Sequence, residues 1–431
     1  MFFANKNILT IFILLFIYLL PRAGFLTTKI GYRFPLPIGY IFIFFLSMKW
    51  FSIRFFEKPK PKKDNPIEKP FSLYILIAMF AIVTGLMNGG IVSTMLLEVL
   101  FYFVAFFIFF MVLDIFEDKN CAKIFMNGIL ICGFLVSLYG VLLLIYGHRL
   151  LINYITYNSS SYYALASQFI IAKRTISSYG DPNALGAQLM VFCGIFAGLL
   201  LFGRCSLFRK TFLLTGFILT IICVYFVSSR ASLFGLFTIL IIFSLIRLKR
   251  MEFFIPLLIT GYIMLIEPIR RYYEHRIFTT GMQSDLRTTY IQTFFDLLSR
   301  YPLGIGFGNA IGENYAIIPA LNIWYGYNSF YLQIFSKVGL QGLAVFSIML
   351  YFIIRYLIRE YQHIEDPNIR YFVFGGACGL IAQQFNFLTN NIYQVPGGML
   401  NFWIMCGMLT AIVNLYKTKR DNSHIEELKS E

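Results

Sequence analysis

Charged residues are scarce in this chain. Asp, Glu, Lys and Arg together make up 13% of its 431 residues, whereas 58% are hydrophobic, and the mean hydropathy is +0.71. A water-soluble domain carries about 25% charged residues, and its core cannot bury this much apolar surface. The apolar residues instead fall in repeated runs that approach the length needed to cross a bilayer. The composition therefore excludes a soluble protein and predicts an all-α, polytopic membrane protein.

Acidic residues are scarcer than basic ones, 21 against 36, which leaves a formal net charge of +15. Such a charge is also typical of nucleic-acid-binding proteins, but no zinc-finger spacing or recognition-helix pattern accompanies it. The basic residues lie between the apolar segments, where they orient membrane spans and contact anionic lipid. We expect membrane lipid, and no nucleic acid, as a partner.

The seven cysteines lie in apolar runs or in loops predicted to be cytoplasmic. They imply neither a disulfide framework nor a metal cluster. The N-terminal apolar run lacks a small-residue cleavage site and is followed by Pro21 and Arg22. We interpret it as an uncleaved first span.

The hydropathy pattern predicts about twelve spans, several of them shorter than the ~20 residues of a straight crossing. They cover residues 8–20, 36–53, 71–87, 91–113, 124–146, 183–202, 211–229, 231–246, 252–266, 339–357, 371–387 and 396–416. Basic segments at 54–69, 204–210, 247–250 and 417–420 fall on one side, and the turns 88–90 and 388–395 opposite them contain no Lys or Arg. Both termini are therefore predicted to be cytoplasmic.

This topology divides the chain into four regions. Residues 1–147 form N-terminal transmembrane helices, 148–338 a core with two extracytoplasmic loops, 339–416 C-terminal transmembrane helices, and 417–431 a cytoplasmic tail. The two loops cover 148–182 and 267–338, the second of them between spans nine and ten. Connections this long often carry function, so we expect the chemistry on the outer side.

A polar turn stands immediately before the sixth span. It reads Gly180-Asp181-Pro182-Asn183 and follows Arg174 by a few residues. Asp181 is suited to cap the helix, and Pro182 suits its first turn. The turn thus predicts a helix start at the outer interface with a cation beside it.

Two further arginines are predicted on the same side. Arg230 lies in the tight turn between spans seven and eight, and Arg287 lies in the second external loop. A single arginine at an interface usually extends its charged group toward lipid headgroups. Three that reach one membrane face from distant segments could instead grip phosphate oxygens, for which the planar guanidinium is well suited.

Four stretches of sequence carry a family resemblance. They are "RTISSYGDPNALG", "SSRASLFG", "DLRTTYIQTFFDLLSRYPLGIGFGN" and "NSFYLQIFSKVGLQG", within residues 170–345. The third contains Gly304, Gly306 and Gly308, which predict a compact turn with close backbone approach, and the fourth contains Gly339 and Gly342, which favour close helix packing. In this order and spacing the stretches resemble the O-antigen ligase and polymerase superfamily of bacterial membrane glycosyltransferases.

The resemblance implies a GT-C-like fold and an enzyme on the outer face of the bacterial inner membrane. Such enzymes transfer a glycan from an undecaprenyl-diphosphate-linked donor to an acceptor hydroxyl, without cofactor or metal. It also implies a chain-length regulator and a flippase as partners. By position, Arg174, Arg230 and Arg287 match the arginines that hold the donor's diphosphate, and we take them as the catalytic candidates. Asn183, Tyr327, Asn328 and Ser329 are the substrate-binding candidates.

The chain lacks a histidine that ligases carry before the tenth span. Counting back from Gly339 puts Asn328 at that position, or Tyr327 in the neighbouring register. An amide cannot act as a base, and a tyrosine near its usual pKa is a poor one. This departure favours a polymerase, and it leaves the general base open among His275, Asp285 and Glu313 of the external loop.

Two alternatives remain open. One is a ligase that attaches finished glycan to another acceptor. The other is a transporter, which would call for ionisable residues within the spans and repeated halves. Glu98 is the main such residue, and it either faces the arginines or bonds to a neighbouring helix. No repeat is evident in the sequence.

Overall fold

The computed structural model describes residues 6–19, 43–48, 50, 65–116, 118–147, 174–246, 285–311, 317–319, 329–390 and 398–417. Helices make up nearly all of this part. They are α1 (Lys6–Leu19), α2 (Glu68–Met87), α3 (Val92–Ile115), α4 (Lys119–Tyr146), α5 (Pro182–Phe202), α6 (Leu207–Val227), α7 (Arg230–Ile246), α8 (Asp285–Arg300), α9 (Phe330–Glu360), α10 (Pro367–Thr389) and α11 (Gly398–Tyr416). The short strands β1 (Asn309–Ile311) and β2 (Ile317–Pro319) pair antiparallel.

Seven helices in the described part are long and apolar enough to cross a membrane: α2, α3, α4, α5, α6, α9 together with the short 3-10 turn that follows it, and α11. α2 leaves large apolar side chains exposed, among them Leu76 at 64% and Met87 at 81%. Exposed apolar surface of this kind is stable against lipid rather than water. The prediction of an all-α polytopic membrane protein is confirmed, while the number of twelve spans stays a prediction, and the span predicted at 252–266 lies outside the described residues.

α5 and α10 pack against each other at the centre of the molecule. A Cβ at Gly194 would lie 2.9 Å from the backbone nitrogen of Gly379, and one at Gly198 would lie 2.6 Å from the carbonyl oxygen of Tyr371. The two helices therefore run antiparallel in backbone contact, which only small residues allow. This contact brings the first turn of α5 to the level of the last turn of α10.

Basic segments gather at one end of the bundle. The Asn368 amide donates to the carbonyl oxygen of Arg204 at 3.1 Å, the Tyr416 hydroxyl donates to that of Lys119 at 3.0 Å, and Lys417 pairs with Ile364 in an isolated β-bridge. The start of α4, the α5–α6 turn, the start of α10 and the end of α11 thus lie together. This grouping agrees with the side on which the sequence placed the basic loops.

Three helices that start at this basic end begin with side-chain caps. Asp118, Ser206 and Asp366 accept backbone N–H groups at the starts of α4, α6 and α10. The N–H of Cys121 donates to Asp118 at 2.7 Å, and this bond holds the pKa of the Asp118 carboxyl below its ordinary value. Such caps satisfy donors that a helix start leaves unpaired.

α9 is broken at Gly339. This residue has φ 71° and ψ −173° inside an otherwise helical run. The sequence predicted that the tenth span begins at residue 339, but the helix begins at Phe330 and its first part is buried. The described part of the predicted external segment 267–338 therefore contains α8, β1, β2 and the first part of α9.

All seven cysteines lie in the described part of the chain, and none is joined to another by a disulfide.

Candidate functional site at the arginine end of the bundle

Arg174 is held between two helix ends. Its Nε donates to the carbonyl oxygen of Val227, the last residue of α6, at 2.9 Å, and its Nη2 donates to Oδ1 of Asn183 at 3.4 Å. Carbonyls at a helix C-terminus lack intrahelical partners and carry partial negative charge. These two hydrogen bonds therefore hold the Arg174 side chain against the two helix ends. The residue is half-buried and does not extend into solvent.

The segment after Arg174 is anchored to α4. The Thr175 hydroxyl donates to the carbonyl oxygen of Gly140 at 2.8 Å, and the Ser177 hydroxyl donates to that of Val136 at 2.6 Å. The N–H of Thr175 also donates to the carbonyl oxygen of Phe226. These contacts fix the backbone that carries Arg174 against two neighbouring helices.

Arg230 stands at the same α6–α7 turn. It is the first residue of α7, three positions after the Val227 carbonyl that Arg174 contacts, and its side chain is exposed. Ser228 makes the turn possible by adopting a left-handed conformation with φ 52°. The structure thus brings Arg174, Arg230 and Asn183 to one end of the bundle.

Asp181 caps α5, as the sequence predicted. Its Oδ1 accepts from the N–H of Ala184 at 2.8 Å, and Pro182 occupies the first position of the helix. The carboxylate therefore fixes the start of α5 two residues before Asn183.

We expect Asp181→Ala to destabilise the protein by about 1 kcal/mol, whereas Asp181→Asn keeps an acceptor oxygen and stays near the native stability. Thermal unfolding of the detergent-purified variants measures the difference. An Asn variant that unfolds as early as the Ala variant would contradict the capping role.

Ser329 lies at the start of α9, next to the end of α10. Its hydroxyl accepts from the N–H of Leu332, so this candidate caps its own helix. The Phe330 ring packs on Phe387 with centroids 5.2 Å apart, and the Tyr331 hydroxyl donates to Gln384 at 2.6 Å. These contacts bring the start of α9 to the end of the bundle that holds Arg174 and Arg230.

The remaining candidates are described in part or not at all. Arg287 lies in the first turn of α8, but its side chain is outside the described part. The same is true of Asp285, and Tyr327, Asn328, His275 and Glu313 lie wholly outside it. Their roles stay predictions.

The glycine-rich segment fills the break in α9. Gly304, Gly306 and Gly308 have φ values of 86°, 81° and 80°. The N–H groups of Ile305 and Gly306 donate to the carbonyl oxygens of Ser336 and Lys337. The N–H of Leu340 in turn donates to the carbonyl oxygen of Pro302. The loop therefore satisfies backbone groups that the break leaves without helical partners, as buried irregular backbone requires.

The loop also lies against α2. A Cβ at Gly306 would come within 2.6 Å of the Ala81 carbonyl oxygen, and the Phe307 N–H donates to that oxygen at 3.2 Å. The predicted close backbone approach is confirmed, and glycine is required because both φ and space exclude a side chain.

A buried ion pair, which the sequence did not predict, fastens this loop. Lys337 Nζ lies 2.7 Å from Glu98 Oε1, with the side chains 7% and 3% exposed. Glu98 Oε2 also accepts from the N–H of Gly308 at 2.8 Å, and Lys337 also donates to the carbonyl oxygen of Asn309. Of the two interpretations of Glu98, the bond to a neighbouring helix is correct. In the sequence, the only sign of a special role for Lys337 was its position as a cation in an apolar run.

Fold and site together define a multi-pass, all-α membrane protein with a cluster of cationic and amide groups at the end opposite its basic loops. Residues 215–347 match the family model described as O-antigen ligase, which confirms the resemblance to the O-antigen ligase and polymerase superfamily. The family consists of membrane enzymes that act on lipid-linked glycans. The match covers Arg230, α8, the glycine-rich loop and the start of α9, while Arg174 and Asn183 precede it. No curated protein matches the chain.

Proposed function

We propose that this protein is a polysaccharide polymerase that joins undecaprenyl-diphosphate-linked repeat units on the outer face of the bacterial inner membrane. The product would be O-antigen, capsule or exopolysaccharide. The observation that carries the proposal is the fixed position of Arg174, between the last carbonyl of α6 and Asn183, beside the turn that bears Arg230. Two arginines from separate segments thus lie at one end of the bundle.

The chemistry needs groups of this kind. An acceptor hydroxyl attacks the anomeric carbon of the donor glycan, the new glycosidic bond forms, and the bond to the diphosphate breaks. The diphosphate departs with the electron pair, and the hydroxyl proton passes to a base that is not yet assigned. Guanidinium groups fixed before the reaction stabilise the charge that develops on the leaving diphosphate.

The absent histidine supports a polymerase over a ligase. Neither Asn328 nor Tyr327 supplies the imidazole that ligases carry at this point. A ligase that transfers finished glycan to another acceptor is the second candidate, favoured by the description of the matching family. A transporter is the weakest, because Glu98 is engaged by Lys337 and Gly308.

The orientation is part of the proposal. The basic loops that gather at one end favour a cytoplasmic position for that end and for both termini. The arginines then face the extracytoplasmic side, where flipped lipid-linked units arrive. A flippase and a chain-length regulator would act beside the enzyme.

Deletion of the gene tests the proposal. We expect the deletion strain to accumulate single lipid-linked repeat units, because transfer to the acceptor unit no longer occurs. Mass spectrometry of extracted carrier lipids measures the number of repeat units attached to each lipid. Re-expression of the intact gene is the control. Full-length chains that persist on the lipid carrier would indicate a ligase, and an unchanged glycolipid profile would refute both enzymes.

A further inference from the structure

A buried polar seam lies directly below the arginines. Ser232, in the first turn of α7, donates its hydroxyl to Oδ1 of Asn386, in the last turn of α10, at 2.9 Å. Both residues are 0% exposed, and Gln383, one turn deeper on the same face of α10, is 1% exposed. We call Ser232, Gln383 and Asn386 the polar seam.

The seam is continuous with the arginine end. Arg230 precedes Ser232 by two residues, and Asn183, which accepts from Arg174, lies one turn before Gly186 on α5. A Cβ at Gly186 would collide with the Ser232 hydroxyl and lie 3.0 Å from Val227 Cγ1. The start of α5 therefore rests on Ser232 with no side chain between them.

Among the residues that the structure describes, two polar atoms of the seam have no hydrogen-bond partner. They are the Asn386 amide nitrogen Nδ2 and the Gln383 amide oxygen Oε1. An unpaired polar group that is buried away from water carries a desolvation cost that no hydrogen bond offsets. Apolar and small residues occupy the rest of this face of α10, including Gly379 and Ala382. Each of the two amides thus keeps one unpaired polar atom on a helix face that is otherwise apolar or small.

The unpaired atoms are one donor and one acceptor, placed at positions i and i+3 of one helix face. A sugar hydroxyl both accepts and donates, so it complements the two together. A phosphate only accepts, and the Gln383 oxygen would repel it. A prenyl chain does neither.

We propose that Asn386 and Gln383, with Ser232 holding the Asn386 amide, bind a hydroxyl group of the donor sugar linked directly to the diphosphate. This inference rests on the proposed function. With the diphosphate at Arg174 and Arg230, the proposal places the first sugar, rather than the prenyl chain, beside Ser232. The seam then distinguishes a glycan-bearing carrier from the bare carrier lipid.

Binding measurements test the assignment. The probes are the natural single repeat unit on undecaprenyl diphosphate, purified from the deletion strain, and bare undecaprenyl diphosphate, each titrated against the full-length protein in nanodiscs. Native protein should bind the repeat unit more tightly than the bare carrier. Gln383→Met and Asn386→Leu, which keep side-chain volume, should each weaken repeat-unit binding by about threefold to tenfold and leave bare-carrier binding unchanged.

Gln384 supplies the matched control on the same helix. Its oxygen accepts from Tyr331 and its nitrogen donates to the carbonyl oxygen of Leu380 at 2.8 Å, so it offers no free atom to a ligand. Gln384→Met should preserve the preference for the repeat unit. Thermal unfolding of every variant checks that the fold is intact, and a purely structural role for the seam predicts that Gln383→Met is neutral or stabilising without loss of binding.

Three outcomes would overturn the assignment. Variants that bind the repeat unit as native protein does would refute the seam as a sugar site. Variants with native donor binding but a raised KM for the acceptor unit would indicate that the seam binds a hydroxyl of the acceptor rather than of the donor. Native protein that binds neither lipid would refute the proposed function itself, and this inference with it.

Discussion

Arg174→Ala, Arg230→Ala and Arg287→Ala should each leave the protein inserted in the membrane and stop glycan chain lengthening. Loss of one fixed donor to a charge that develops in the transition state typically slows a reaction by about 100- to 1,000-fold. Arg174→Lys should restore only part of the activity, because an ammonium keeps the charge without the planar fork. Gel analysis of polysaccharide from cells with matched protein levels gives the chain lengths.

Arg204 provides the control for this experiment. It lies at the opposite, basic end of the bundle and is exposed, so Arg204→Ala removes the same charge far from the arginine pair. We expect cells that carry Arg204→Ala to make polysaccharide with the native distribution of chain lengths on the gel. Native ladders from all three test variants would contradict the diphosphate role.

Glu98→Ala and Lys337→Ala should each reduce the yield of folded protein sharply. Either change leaves the other charge buried without its partner, which costs about 3–5 kcal/mol, a large part of a typical total stability of about 5–15 kcal/mol. Size-exclusion chromatography and thermal unfolding in detergent measure folded yield and stability.

The double variant Glu98→Ala/Lys337→Ala distinguishes the effect of an unpaired buried charge from the effect of losing the hydrogen bonds to the loop. It removes both charges together, so it should unfold later than either single variant. It should not regain native stability, because the N–H of Gly308 and the carbonyl oxygen of Asn309 also lose their partners. Single variants with native unfolding temperatures would show that the pair contributes little.

Features set by neighbouring residues could be predicted from the sequence. Asp181 and Pro182 specify a helix start through a cap and a fixed φ, and α5 begins there. Gly304, Gly306 and Gly308 specify a turn with positive φ because only glycine adopts it at low cost. Arg174 and Arg230 could be assigned to one end because the alternation of apolar runs fixes the side of each loop.

Features set by distant residues could not be predicted. Glu98 and Lys337 are separated by 239 positions, and Ser232 and Asn386 by 154. No local sequence pattern indicates which of these distant helices contact each other. The extension of α9 back to Phe330 was missed for a related reason: Gly339 ends the run of regular helical bonds, and only the loop at 302–308 makes that break stable.

The break at Gly339 also has a mechanical consequence. A continuous helix transmits any change of tilt along its whole length, at a rise of about 1.5 Å per residue. Bilayers of different thickness tilt the helices that span them. Because the regular bonding of α9 is interrupted at Gly339, we expect the membrane-crossing half to follow the lipid while the short half with Ser329 keeps its orientation. The end that carries Arg174 and Arg230 would thereby be insulated from variation in the thickness of its host membrane.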